Sequence, residues 1–130
     1  MIRGIDHVAI TVADLDAACS FYARVLGARV EEEYEIGGRI AVKRVAFGQA
    51  ILNLHQQGNG VDLVARQPTP GSVDICFRWD GDIGAAKGQL ESRGVAVIAG
   101  PVARTTADGL SAHSVYFRDP DGNLVELMAS

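Results

Sequence analysis

The sequence lacks the features that mark several large classes of protein. Its 130 residues include two cysteines, Cys19 and Cys76, with no C-x-x-C pair, which argues against a disulfide framework or a cysteine zinc site. No apolar run approaches the roughly 18 residues that a membrane-spanning helix needs. Residues 1–6 lack the basic, apolar and small-residue regions of a signal peptide. We therefore expect a cytoplasmic protein in which both cysteines are buried as small hydrophobic side chains.

Positive charge is also scarce. Lys and Arg number 12 against 16 Asp and Glu, for a formal net charge of −4, and the longest basic cluster is Lys43-Arg44. A nucleic-acid-binding protein usually carries a basic patch, so neither nucleic acid nor a membrane is expected as a partner. A composition of 48% hydrophobic and 22% charged residues is typical of a folded globular chain. We expect one domain over residues 1–130.

The first half of the chain predicts one helix among four strands. Residues 5–12 alternate as a strand does, with His7 and Val8 on opposite faces. Asp14 is suited to cap a helix whose apolar residues recur at helical spacing, and Gly27 is suited to end it. Three further strands are predicted at about 28–35, 39–47 and 50–55.

The second half predicts the same order of elements. A loop-like connector over residues 56–71 precedes a strand at 73–79, and Asp82 then caps a helix that ends at Gly94. Strands are predicted at about 95–98, 112–117 and 123–128. The chain therefore consists of two related modules, at about 1–57 and 72–130.

Four potential metal ligands occupy matching places in these modules. His7 opens the first strand of one module, and Asp74 opens the first strand of the other. His55 closes the last strand of the first module, and Glu126 closes the last strand of the second. The repeat therefore predicts that these four side chains form one site.

Two stretches resemble a known superfamily. Residues 6–14, D-H-V-A-I-T-V-A-D, are followed by Phe21-Tyr22, and residues 117–127 read F-R-D-P-D-G-N-L-V-E-L. Together with the repeat, they resemble the glyoxalase, bleomycin-resistance and extradiol-dioxygenase (vicinal oxygen chelate) superfamily over nearly the whole chain. Residues 52–56, 68–74 and 100–105 resemble the subgroup called glyoxalase domain-containing protein 5 and bacterial relatives labelled virulence proteins.

The resemblance implies a fold and an assembly. Its members are α+β proteins in which two βαβββ modules form a cup-shaped, partly open β-barrel around a metal ion. In many members the cup is shared between two subunits, so a homodimer is expected.

The resemblance also implies a divalent metal ion held by His7, His55, Asp74 and Glu126. Two imidazoles and two carboxylates suit Zn, Ni, Mn, Co or Fe(II). The usual order in glyoxalase I is His, Glu, His, Glu, whereas this chain has His, His, Asp, Glu. Since Asp is shorter than Glu or His, Asp74 either binds the ion, binds through a water, or orients a neighbouring group.

The implied function is isomerase or lyase chemistry on a small substrate with vicinal oxygens, through a metal-held enediolate. Glu126 or Asp74 would move the proton. His113 alternates with Val115 and Phe117 and is either a substrate contact on the cup face or an ordinary strand histidine. Arg104 either clamps an anionic substrate group or is solvated.

Other functions compete with this one. No arginine follows His7 closely, although bacterial glyoxalase I enzymes tend to have one there to contact glutathione, so lactoylglutathione chemistry is not implied. A non-catalytic protein that sequesters a ligand, as bleomycin-resistance proteins do, is the main alternative. A dioxygenase is a weaker one, because its second histidine would stand where Asp74 does.

Overall fold

A computed structural model describes residues 1–130, which form two compact units, Met1–Gly71 and Ser72–Ser130. Each unit is a βαβββ module, which confirms the predicted α+β architecture. Neither helix is long and apolar enough to cross a membrane. The elements are β1 (Val8–Val12), α1 (Leu15–Leu26), β2 (Arg29–Ile36), β3 (Arg39–Phe47), β4 (Ala50–Gln56), β5 (Asp74–Arg78), α2 (Ile83–Ser92), β6 (Ala99–Thr105), β7 (Ser111–Arg118) and β8 (Leu124–Ala129).

Helix α1 begins and ends where the sequence predicts. The Asp14 carboxylate accepts a hydrogen bond from Ala17 N at 3.0 Å, which satisfies a backbone donor that has no partner within the helix. Gly27 follows the helix with φ of 68°, a left-handed conformation that costs glycine little. The helix buries one apolar stripe, made of Leu15, Ala18, Cys19, Tyr22 and Val25.

The sheet of the first unit has the strand order β1-β4-β3-β2, and β1 runs parallel to β4. Because side chains alternate along a strand, one face bears Ile10, Leu52 and Leu54, which are buried. The helix packs on that side, where the Tyr22 and Phe47 rings lie 5.1 Å apart. We call the opposite face of this sheet face 1; it bears Ala9, Thr11, Asn53 and His55, and His7 stands immediately before β1, in alternation with Ala9.

The second unit repeats this plan with the strand order β5-β8-β7-β6. The Asp82 carboxylate caps α2 by accepting a hydrogen bond from Gly84 N at 2.7 Å. On β8, Val125, Leu127 and Ala129 are buried, and the residues between them point to the other side. We call that other side face 2; it bears Asp74, Cys76, Ser114, Tyr116 and Glu126.

Two local predictions are wrong. Residues 95–98 are not a strand: Val95 N bonds to Leu90 O at the end of α2, and β6 begins only at Ala99. Cys76 is exposed rather than buried, because it points to face 2 and away from the core of its unit, whereas Cys19 is buried in the α1 stripe as predicted.

Candidate metal centre

His7 has the geometry of an oriented metal ligand. Its Nδ1 lies 2.8 Å from Asp6 Oδ1, and this hydrogen bond, followed by the charge of His7, holds the pKa of Asp6 below its ordinary value. A carboxylate only accepts, so the neutral imidazole carries its proton on Nδ1 and has a lone pair on Nε2. A carboxylate on the far nitrogen is the usual arrangement behind a metal-bound histidine. His7 therefore fits a metal.

His55 has the opposite protonation pattern. The amide of Asn59 donates to Ala41 O at 3.0 Å and to His55 Nδ1 at 3.3 Å, and Asn59 Oδ1 accepts from Val61 N at 2.9 Å. These backbone partners fix which end of the amide is nitrogen. Nδ1 of His55 is therefore an acceptor, and its proton sits on Nε2. Burial, then the nearby His7, lowers the pKa of His55, which favours this neutral form.

Strand register gives the place matching Glu126 to Asn53, not to His55. Two residues after His7, Ala9 lies opposite Asn53; two residues after Asp74, Cys76 lies opposite Glu126. His55 lies two residues further along β4, opposite Thr11. Counting residues along the chain from His7 and from Asp74 does not give this match. The pairing of β1 with β4 and that of β5 with β8 join residues at different separations in the sequence.

Asn53 carries the one buried side-chain polar atom without a hydrogen-bond partner. Its Oδ1 is shielded from water and no donor reaches it. Such an atom is costly to bury, and an amide oxygen is also an acceptable ligand for a hard cation. Face 1 thus presents the Asn53 oxygen on the same side as His7.

The unsatisfied Asn53 oxygen predicts that its removal stabilises the protein, although this oxygen is a candidate metal ligand. Replacing Asn53 with Leu, which is similar in size and apolar, should raise the free energy of unfolding of the metal-free protein by about 1 kcal/mol, because a buried acceptor is removed. Urea unfolding in the presence of EDTA measures this. The control is Asn59→Leu, which breaks the three hydrogen bonds of that amide and should destabilise the protein. A less stable Asn53→Leu variant would show that Oδ1 has a partner in solution.

On face 2, Glu126 lies within a cluster of polar side chains. Ser114, which is fully buried, donates from Oγ to Glu126 Oε2 at 2.7 Å. Tyr116 and Cys76 lie opposite Glu126 on the two flanking strands. Burial, then the charge of Glu126, raises the pKa of the Cys76 thiol to about 12. The Ser114 bond fixes one carboxylate oxygen of Glu126 in place.

Arg104 belongs to the same cluster through Tyr116. Its Nε donates to the Tyr116 hydroxyl at 2.9 Å and its Nη1 to Ala103 O at 2.9 Å, with the guanidinium 5.5 Å from the ring centre. Burial raises the pKa of Tyr116, the Arg104 bond opposes this, and Glu126 raises it further. Nη2 of Arg104 remains for a ligand.

The remaining predicted residues divide between the two faces of the second sheet. Asp74 is exposed on face 2, two residues before Cys76. His113 pairs with Ala129 and shares the side of Val115 and Phe117, which is the buried side and not face 2. The alternation of His113 with Val115 and Phe117 therefore places it on the buried side of the sheet, whereas the expectation was the cup face.

Within neither unit do three or more His, Cys, Asp and Glu side chains gather in a group that could hold a metal ion. The first unit brings His7, Asn53 and His55 to face 1, and the second brings Asp74 and Glu126 to face 2. Asn53, Ser114 and Tyr116 were missed in the sequence. Pairing of the strands is what shows that Asn53 lies opposite Ala9 and Tyr116 opposite Glu126, and that Ser114 shares the face of Glu126.

Comparison with known proteins places these residues in a family context. The model of the Glyoxalase/Bleomycin resistance protein/Dioxygenase superfamily matches residues 4–127. Virulence protein STM3117 of Salmonella typhimurium is 38% identical over 98% of this chain and 84% of its own length. Glyoxalase domain-containing protein RDO1 of Mycosarcoma maydis is 42% identical over 97% of this chain and 68% of its own. An integron cassette protein of V. cholerae, VCH_CASS1, has a TM-score of 0.88 at 39% identity, covering 99% of this chain and 96% of its own.

More distant relatives carry names that state a function. An ethylmalonyl-CoA/methylmalonyl-CoA epimerase of Cereibacter sphaeroides is 32% identical over 98% of both chains. The structure of TnmS3, an antibiotic binding protein from a Streptomyces species, has a TM-score of 0.76 at 26% identity, covering 99% of this chain and 98% of its own. The matching proteins thus include both an enzyme and a ligand-binding protein.

Proposed function

Because the chain belongs to the glyoxalase/bleomycin resistance protein/dioxygenase superfamily, we propose that it is a divalent-metal-dependent, glyoxalase-like enzyme. Its substrate would be a small molecule with vicinal oxygens, and its reaction an isomerisation or lyase step. The observation that carries this proposal is the free Nε2 of His7, oriented from behind by Asp6. This arrangement leaves the Nε2 lone pair of the neutral His7 ring available to a metal ion.

The proposed ligands are His7 and Asn53 from the first module and Asp74 and Glu126 from the second. We leave His55 out of the proposed set, because Asn59 donates to its Nδ1 and so favours a proton on Nε2, the nitrogen that would bind a metal. One imidazole nitrogen and three oxygens suit Mn, Co or Fe(II) at least as well as Zn or Ni. The set draws on both modules, which would pair within one chain or across a homodimer.

The bound ion would polarise a substrate carbonyl and so make the neighbouring C–H acidic. Glu126 would take this proton on the carboxylate oxygen that Ser114 does not hold, and return it to the adjacent carbon. No atom is gained or lost in this transfer. Asp74, exposed on the same face, would be the second group able to carry a proton.

Substrate binding would fall to Arg104, whose Nη2 is left free by its bonds to Tyr116 and Ala103. A guanidinium offers paired N–H donors that match a carboxylate or phosphate. His113 is left out of the proposed site because it lies on the other side of its sheet. The relative named an epimerase supports isomerase chemistry.

The test is the metal content of the purified protein. We expect about one divalent ion per chain after reconstitution with Mn, Co, Fe(II), Ni or Zn, and its loss in a His7→Ala/Glu126→Ala double variant. Elemental analysis on gel-filtered protein measures this. The matched control is Glu31→Ala/Glu33→Ala, which removes carboxylates from the exposed strand β2 and should keep the metal. Wild-type protein without metal under every condition would refute the proposal.

A ligand-sequestering function is the second candidate, and the likeness to the antibiotic binding protein TnmS3 favours it. It predicts tight binding of a small molecule with no metal and no turnover. We propose a homodimer in either case, because β2 leaves Val30, Tyr34 and Ile36 about 40% exposed along one strand. The proposed location is the cytoplasm, where unpaired cysteines such as Cys19 and Cys76 stay reduced.

A further inference from the structure

We propose that His55 and Thr11 form a second binding site on the first unit, which holds the carboxylate of a small 2-oxo or 2-hydroxy acid. The inference rests on the proposed function and deepens it by naming a substrate class: the carboxylate is held here, and Arg104 would contact a further anionic group where the substrate has one. It also gives His55 a different task from the one that its sequence position suggested, since it would bind substrate and not metal.

The first step is the donor that His55 offers. Asn59 donates to Nδ1, and its amide is fixed by Ala41 O and Val61 N, so the ring presents an N–H at Nε2. No protein acceptor takes this proton. Thr11 lies directly opposite His55 on the neighbouring strand, on the same face, and its hydroxyl is also without a partner. Two adjacent donors without acceptors match the two oxygens of a carboxylate.

The second step is the cavity beside these donors. It has a volume of about 110 Å³, and its walls include Thr11, His55, Asn59, Val61, Val64 and Pro68. A water's share of liquid volume is about 30 Å³, so the space holds a carboxylate with one or two further carbons but no larger ring. The three apolar walls suit a short carbon chain.

The third step is charge. None of the side chains that line the cavity is acidic, so a carboxylate there meets no repulsion from its walls. The remaining polar side chain of the wall, Gln56, is committed elsewhere: its Oε1 accepts from Leu15 N at 2.8 Å and its Nε2 donates to Ala13 O at 2.7 Å. The free polar atoms of the cavity's side chains are therefore the His55 Nε2–H, which donates, and the Thr11 hydroxyl, which is able to donate, so both suit a carboxylate.

The experiment uses pyruvate as the probe and the full chain in EDTA. Pyruvate binding followed by NMR titration should be saturable in wild type and about tenfold weaker in His55→Phe and in Thr11→Val, because each loses one donor. Gln57→Leu is the control, since that neighbouring amide lies outside the cavity wall and its loss should leave the affinity unchanged. Nitrogen-15 spectra of the wild type should show the His55 proton on Nε2.

The same variants separate this inference from the proposed metal site. His55→Phe should retain the metal content of the wild type, and loss of the metal would overturn the inference while leaving the metal enzyme standing. Wild type that binds no metal but binds pyruvate through His55 would overturn the proposed metal enzyme and leave this inference standing. Absence of pyruvate binding, equal affinity in His55→Phe, or a proton on Nδ1 would each overturn the inference.

Discussion

Gly100→Ala should unfold a large part of the population under conditions in which the wild type is stable. Gly100 has φ of +100°, and a Cβ there would stand 2.3 Å from Ser114 O and 3.0 Å from Val115 Cα. These are backbone atoms of the central strand pair and cannot rotate away. A non-glycine residue at such a φ costs about 1–3 kcal/mol, and an overpacked contact costs about as much again. The sum is a large share of the roughly 5–15 kcal/mol that keeps a domain folded.

Urea unfolding monitored by circular dichroism measures this loss. The control is Gly88→Ala, which makes the same chemical change in helix α2, where a Cβ meets nothing within 4 Å. That variant should be more stable by about 0.5–1 kcal/mol, because alanine favours a helix over glycine. Equal stability of Gly100→Ala and wild type would mean that β6 does not lie against β7 as described.

The loss should also reach the candidate metal centre. Ser114, whose carbonyl oxygen the new Cβ would strike, is the residue that holds Glu126 Oε2. Displacing this backbone frees the carboxylate that the proposed chemistry needs in a fixed position. Any folded fraction of Gly100→Ala should therefore bind metal more weakly than wild type at the same concentration.

Cys76 should react slowly with iodoacetamide although its side chain reaches solvent. Burial, then Glu126, raises the pKa of this thiol to about 12 from an ordinary value of 9.0. Near pH 8 the thiolate fraction should fall from about 10⁻¹ to about 10⁻⁴. A more basic thiolate is a better nucleophile, which recovers part of this, so alkylation should be about 30- to 60-fold slower than in a free peptide.

Mass spectrometry of the peptide that carries Cys76 follows the reaction in EDTA. The rate should keep rising about tenfold per pH unit beyond pH 9, where an ordinary thiol levels off. Glu126→Gln removes the second cause of the raised pKa and should speed the reaction, whereas Glu91→Gln, on the exposed side of α2, should not. A rate equal to that of the free peptide would mean that face 2 does not raise the pKa of the Cys76 thiol.

Much of the fold could be predicted from the chain alone. Helix α1 was bounded correctly because Asp14 and Gly27 satisfy its ends through their own side chain or backbone, within the local sequence. The repeated order of strands and helix was visible because alternation and helical spacing are local patterns. Residues 95–98 were misassigned because β6 is placed by its pairing with β7 and by the turn at Gly100, neither of which is a local preference.

Two βαβββ modules, and Asp74 at the start of β5, follow from periodicity and capping, which act over a few residues. Glu126 was expected to close its strand but lies inside β8. Which residues share a face of the sheet depends on how the strands pair. Pairing of β1 with β4 placed Asn53 in the position equivalent to Glu126. Asn59, four residues after His55, fixes where the imidazole proton lies because the distant Ala41 O holds its amide in place. Register and hydrogen-bond partners depend on contacts between distant segments, and a one-residue slip would reverse every face.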